Sequence, residues 1–198
     1  MKLNIYKLSH PIIIKLAHDM NYSLQMSRKQ YDDKNKMLNL LLIYEVVRKW
    51  VKLQNIYIKN IDYIKELCIF DKNESYLIIT DFIENYNIIS EATELLPNTN
   101  IKHISLNQAQ KNLNCTKSEN ELFNTILYNE NNDKKIIILQ QYLNHYFILK
   151  LLKYLIDIKK HNINQIKIIC FKCHNIIMEQ INQQYPNIQV YTTKIQKN

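Results

Sequence analysis

A chain of 198 residues with 46 % hydrophobic and 22 % charged side chains has the make-up of one globular domain, able to bury a core without disulfide or metal, and not that of a disordered chain. No stretch approaches the roughly 18 apolar residues of a membrane-crossing helix, and the run Ile12-Ile13-Ile14, ended by Lys15, is too short for a secretory signal, so a soluble protein made where it works is expected. The net charge of +8 lies in the last third, since residues 1–133 carry 16 basic and 16 acidic side chains and residues 134–198 carry 10 basic and 2 acidic.

Glycine is absent, where ordinary usage of about 7 % would supply roughly 14. Asn is abundant instead and tolerates left-handed backbone better than other non-glycine residues. That serves in turns but not where the backbone must approach a ligand closely. The dominance of Ile, Asn, Lys and Tyr, with Arg only at Arg28 and Arg48, matches AT-rich codons and implies an AT-biased genome such as an organelle's.

Along the chain, Ser27-Arg28-Lys29-Gln30 reads as a capping box, and Tyr31, Leu38, Leu41, Leu42 and Val46 recur at helical spacing. A helix over about 28–50 is predicted. Tyr76–Thr80 reads as a buried strand, followed by a helix with Ile88, Ile89, Ala92, Leu95 and Leu96 on one face, stopped by Pro97. Ile101–Leu106 reads as a strand, Asn107–Glu119 as a loop and Leu122–Tyr128 as a further strand. A buried strand at Lys135–Leu139, a helix over about 146–160, a strand at Ile166–Phe171, a helix at Asn175–Gln184 and a strand at Ile188–Thr192 complete the alternation. Strands alternating with helices predict an α/β fold, a mostly parallel sheet with helices on both faces. In such sheets a ligand lies beyond the carboxyl ends of the strands, which directs attention to 80–87 and 140–148.

Isolated motifs carry little chemistry. Cys170-Phe171-Lys172-Cys173-His174 has the C-x-x-C-H spacing of haem attachment, yet it begins inside a predicted core strand, and Cys68 and Cys115 supply no second metal-binding pair. His10, His18, His103, His145 and His161 have no Ser or Cys at a spacing that marks a triad. The pairs Asp81/Glu84 and Asp32/Asp33 suit a helix start and a solvated helix face. No catalytic residue and no metal ligand is therefore assigned.

Three stretches, in order and correctly spaced, go further: Ser9-His10-Pro11-Ile12 with Lys15-Leu16, Leu41-Leu42-Ile43-Tyr44-Glu45, and Tyr185-Pro186-Asn187-Ile188-Gln189-Val190-Tyr191-Thr192. They resemble the H-P-L/I…K-L, L-L-x-Y-E and H-P-D-V-x-L-Y-T patterns of the uracil phosphoribosyltransferases, over nearly the whole chain. The resemblance implies a single type I phosphoribosyltransferase-like domain over 1–198, its N-terminal helical region 1–55 packing on an α/β core 70–195. A dimer is implied too, and magnesium if the protein is active.

The family's phosphate-holding loop reads Asp-Pro-Met-Leu-Ala-Thr-Gly-Gly-Ser, where this chain has Gln140, Gln141, Tyr142, Leu143, Asn144, His145, Tyr146, Phe147 and Ile148. Only Leu143 matches. Two left-handed positions without glycine cost roughly 1–2 kcal/mol each, and two lost hydrogen bonds to a charged group roughly 1.5–3 kcal/mol each. The total, about 5–10 kcal/mol, is a thousandfold to ten-millionfold in affinity. The family's P-I-L-R-A-G, with its Arg near the pyrophosphate, is here Thr80-Asp81-Phe82-Ile83-Glu84-Asn85, so Ile83 stands for the cation. The Gly-rich uracil-holding segment that follows the Y-T strand in the family is expected to be absent.

The expected function is that of a uracil phosphoribosyltransferase homolog without catalysis, organelle-encoded in the plastid stroma or, alternatively, cytoplasmic. Two other readings stay open. One is an RNA-binding regulator using Lys150, Lys153, Lys159 and Lys160, against which stands simple lysine drift in an AT-rich gene. The other is an active enzyme making UMP from uracil and phosphoribosyl pyrophosphate.

Overall fold

The computed structural model describes residues 4–21, 26–104, 119–128, 133–143 and 147–196. In chain order the elements are β1 (Asn4–Lys7), α1 (Pro11–Asn21), α2 (Arg28–Val47), β2 (Leu53–Lys59), β3 (Ile64–Phe70), β4 (Tyr76–Thr80), α3 (Phe82–Asn85), α4 (Ile89–Leu95), β5 (Thr99–His103), α5 (Glu119–Ile126), β6 (Lys135–Leu143), α6 (Phe147–Lys153), β7 (Ile166–His174), α7 (Asn175–Gln184) and β8 (Gln189–Gln196). Six strands form one sheet in the order β1-β8-β7-β6-β4-β5, every neighbour parallel.

Burial on both faces explains why β4, β6 and β7 read as unbroken apolar runs rather than alternating ones. On one face Leu77, Ile79, Ile136, Ile138 and Ile168 meet Phe123 of α5, Leu151 of α6 and Ile177 and Ile181 of α7. On the other, Tyr76, Ile78, Ile137, Leu139 and Ile169 meet Ile13 and Leu16 of α1, Leu38 and Leu42 of α2 and Ala92 of α4. The mostly parallel sheet with helices on both faces is thus as the alternation predicts. The capping box is present as well: Gln30 N–H donates to Ser27 Oγ (3.3 Å) and Ser27 N–H to Gln30 Oε1 (3.2 Å).

Several expectations need correction. Leu122–Tyr128 is not a strand, because α5 runs Glu119–Ile126; Phe123 and Leu127 enter the core four residues apart, which is helical spacing. Within the region read as helical, Asn4–Lys7 is the edge strand β1, and the predicted 28–50 helix ends at Val47. Leu95 is exposed, since Ile88 just before α4, Ala92 within it and Leu96 just after it turn inward at four-residue spacing. The helix predicted over 146–160 starts as α6 at Phe147 and continues as a π-helical turn over Tyr154–Ile158. The loop read at 107–119 falls almost wholly on residues outside those described.

A second, two-stranded sheet lies outside the predicted elements. β2 and β3 pair antiparallel from Leu53↔Phe70 to Lys59↔Ile64, closed by the Asn60 N–H to Tyr63 carbonyl bond (2.9 Å). Its signal was present as Ile56/Ile58 alternation before an Asn60-Ile61-Asp62 turn. The turn chemistry of a glycine-free chain shows at two described non-glycine residues with positive φ, Asn98 (48°) and Lys160 (59°). Asn98 fits the expectation, whereas Lys160 carries roughly 1–2 kcal/mol of strain. That strain is offset where the chain leaves the helix, by Lys159 N–H to the Tyr154 carbonyl (2.9 Å) and His161 N–H to the Leu155 carbonyl (3.0 Å).

Candidate functional site

The carboxyl ends of β4 and β6 are neighbours, with Thr80 in register with Leu139, so the two segments singled out from the sequence do meet. What fills the space is a polar network. Thr80 Oγ1 donates to the Leu139 carbonyl (2.9 Å) and accepts from Asn85 Nδ2 (3.0 Å). Asn39 Nδ2 reaches Asn85 Oδ1 (3.0 Å) and Asn35 Oδ1 (3.1 Å). The Glu84 carbonyl accepts from Asn35 Nδ2 (3.2 Å) and Gln141 Nε2 (3.0 Å), and Tyr31 Oη donates to Gln141 Oε1 (3.5 Å).

Asn35, Asn39, Asn85, Thr80 and Gln141 are all buried. Within the network Asn39 Oδ1 is left without a partner, a penalty of about 1–3 kcal/mol. Burial raises the Tyr31 hydroxyl, with Tyr142 and Glu84 adding to it, and burial with Glu84 raises Tyr142. Sequence reasoning missed Asn35 and Asn39. Their signal was two polar residues, four apart, on the inward stripe of α2 otherwise formed by Leu38 and Leu42.

Of the loop positions, Gln140 and Gln141 belong to β6, which runs on to Leu143 beyond the last pair with β4 at Leu139, and the pairing of Tyr142 with Lys172 and Leu143 with Cys173 carries it on along β7. Asn144, His145 and Tyr146 lie outside the described residues. Phe147 and Ile148 open α6 and are buried in the core, the Phe147 ring 5.2 Å from that of Phe123. Ile83 is two-thirds exposed at 66 % on α3, and its N–H is capped by Asp81 Oδ1 (2.9 Å). The structure therefore brings Gln141 against the α3 backbone while Ile83 points to solvent.

Several of the remaining candidates have structural partners, while His145 and Cys115 lie outside the described residues. His103 Nδ1 accepts from Phe82 N–H (3.0 Å), so it carries no proton there and its 3.9 Å contact with Asp81 is no ion pair in that state. Asp32 Oδ2 accepts from Tyr86 Oη (3.2 Å). Cys170 and Cys173 are buried and their thiols approach the Tyr191 and Lys194 carbonyls at 3.7 Å. No group of three His, Cys, Asp or Glu among the described residues is placed to hold a metal. Lys150, Lys153 and Lys160 are exposed and Lys159 is partly buried. No helix among the described residues is long and apolar enough to cross a membrane.

By fold, then, this is an α/β protein with a mostly parallel sheet and its candidate site at the strand carboxyl ends. The architecture is shared with a solved structure, that of the AQ2163 protein from Aquifex aeolicus, at a TM-score of 0.66 and 15 % identity over 98 % of this chain and 88 % of that one. No family model matches. In sequence the chain is 24 % identical to a uracil phosphoribosyltransferase homolog of the red alga Porphyra purpurea, over 98 % of its own length and 89 % of that protein's. It is 25 % identical to a uracil phosphoribosyltransferase homolog of Pyropia yezoensis, also a red alga, over 100 % of its length and 91 % of that protein's. The resemblance to uracil phosphoribosyltransferase homologs thus covers nearly the whole chain.

Proposed function

We propose that the chain is a uracil phosphoribosyltransferase homolog that no longer catalyses the transfer and serves as a scaffold or regulator, working in a plastid. The observation that carries the reading is the fate of the phosphate-loop positions: Gln140, Gln141, Phe147 and Ile148 are buried core residues. A phosphate site needs main-chain N–H groups converging on open space. Here the N–H groups of Gln140 and Gln141 lie in a buried strand, and the side chain of Gln141 is committed to the Glu84 carbonyl. The lack of glycine and the missing Arg at Ile83 point the same way, and the red-algal relatives with the AT-type composition support the plastid. Purified protein given labelled uracil, phosphoribosyl pyrophosphate and magnesium is expected to form no UMP above the uncatalysed background. Turnover at even a thousandth of an ordinary enzyme rate of about 10 s⁻¹ would overturn the reading.

We infer further that the chain forms a homodimer through the β2–β3 hairpin. Both faces of this arm are exposed, and Leu53, Tyr57, Ile61, Tyr63 and Ile64 each show 60 % or more of their surface. An isolated two-stranded hairpin is marginal in water, and an exposed apolar surface of this kind marks an interaction site. Self-association gives each copy the same patch to meet. Light scattering at micromolar concentration is expected to give a dimer for the wild type and a monomer for the double variant Tyr57→Asp/Ile61→Asp. A monomeric wild type would refute the arm's role.

A further inference from the structure

On the opposite edge of the sheet, and toward the amino-terminal ends of β7 and β8, lies a cavity of about 700 Å³ between β1, the β1–α1 connection and the end of α2. Its size is that of a small-molecule site, roughly 300–1,000 Å³. Four cations line it, Lys7, Arg48, Lys49 and Lys167, with one carboxylate, Glu45, which is already paired with Arg48 at 3.4 Å. Tyr6 and Tyr191 form part of the wall, stacked with ring centres 4.8 Å apart, and Tyr6 is 43 % exposed.

Lys167 is the unusual member. It is buried, and its Nζ donates to the Val46 carbonyl in the last turn of α2 (3.1 Å) and lies 4.1 Å from the Trp50 ring centre. A helix carboxyl end and a ring face both favour a cation. Neither is an anion, and the nearby charges acting on it are Lys135 and Lys49. Burial first, then those two lysines, bring its ammonium down to about 8. A buried ammonium with no carboxylate partner and unused donors, facing a cavity rimmed by three further cations, is a site short of negative charge.

We propose that this cavity binds a small phosphorylated molecule bearing an aromatic ring, of nucleoside diphosphate size, with Arg48, Lys49 and Lys167 meeting the phosphoryl oxygens and the Tyr6–Tyr191 stack meeting the ring. Arg48 offers a planar fork suited to phosphate, the lysines point charges, and stacking on a tyrosine face accepts any base. The inference is independent of the proposed loss of catalysis, because none of these residues belongs to the strand-end network and the UMP assay reads turnover alone.

The test is calorimetric titration of the full chain at low ionic strength with ADP and, separately, with inorganic pyrophosphate. Saturable one-to-one binding of ADP is expected, with pyrophosphate about tenfold weaker for want of the ring. Arg48→Ala, Lys49→Ala and Lys167→Met should each weaken ADP about tenfold or more, while Lys153→Ala on α6 leaves it unchanged. Arg48 and Lys49 are exposed, so their variants keep the test decisive even where Lys167→Met does not fold. Equal affinity for both probes would overturn the ring contact. No saturable binding at millimolar concentration, affinity indifferent to Arg48→Ala and Lys49→Ala, or binding of oligouridylate alone would overturn the site.

Discussion

Phe147→Gly, which places the glycine of the uracil phosphoribosyltransferase loop pattern at this position, is expected to lower stability by about 3–5 kcal/mol and to produce no UMP formation. In a phosphate loop that glycine lets the backbone close around the ligand. Here the same position begins α6 and its side chain is part of the core, packed with Phe123, whose ring is also 5.2 Å from that of the fully buried Tyr154. Removing the ring opens a cavity, and glycine adds backbone entropy to the unfolded chain. Urea unfolding monitored by circular dichroism reads the effect as a lower midpoint at unchanged slope. A loss below about 1 kcal/mol would mean that the ring fills no space, and with it the picture of a loop absorbed into the core would fail.

Glu74→Ala should be comparably damaging, about 3–5 kcal/mol, because it strips the partner from a largely buried pair. Glu74 Oε1 meets Lys135 Nζ at 2.5 Å, and Glu74 Oε2 accepts from Tyr76 Oη (2.8 Å) and from the Lys52 N–H (3.2 Å). Without the carboxylate, Lys135 retains the Trp50 carbonyl (2.6 Å) but no counter-charge. The double variant Glu74→Leu/Lys135→Met is expected to recover most of the loss, as a hydrophobic replacement of both partners does; a double variant as unstable as the single one would contradict this account. Burial by itself would raise the Glu74 carboxyl, but the hydrogen bonds from Lys135, Tyr76 and Lys52 outweigh it and hold it below its ordinary value. A depressed carboxyl contributes stability above the unfolded-state value near 4.3, and that contribution disappears as pH falls through the lower folded-state value. Acid titration of stability should therefore show a component in the wild type that Glu74→Gln lacks.

The two substitutions bear on different parts of the same design. Phe147 packs the start of α6 into the core against Phe123, while Glu74 ties the base of the β2–β3 arm to the sheet through Lys52 and Tyr76. Loss of the first should leave the proposed dimer intact at temperatures where the chain is folded. Loss of the second should also loosen the arm.

Much of the architecture was legible in the residue pattern alone. Tyr76–Thr80 and Ile166–Phe171 could be read as buried strands because parallel strands covered on both faces carry no polar alternation, and Ser27 and Gln30 marked a helix start through local hydrogen bonds alone. The departures of Gln140, Phe147 and Ile148 from the phosphate-loop pattern were equally plain, since glycine's absence is a property of composition. Only the tertiary structure decided the rest. That Asn35 and Asn39 face inward, that β6 runs on through Gln141 along β7, and that Lys167 lies beneath the end of α2 beside Arg48 and Lys49 all depend on contacts between residues far apart in the chain, as Asn39 and Asn85, Tyr142 and Lys172, and Val46 and Lys167 are. Local periodicity records which side of an element is apolar; it holds no information about which distant polar group will stand opposite, because that pairing is set by how the packed layers come together.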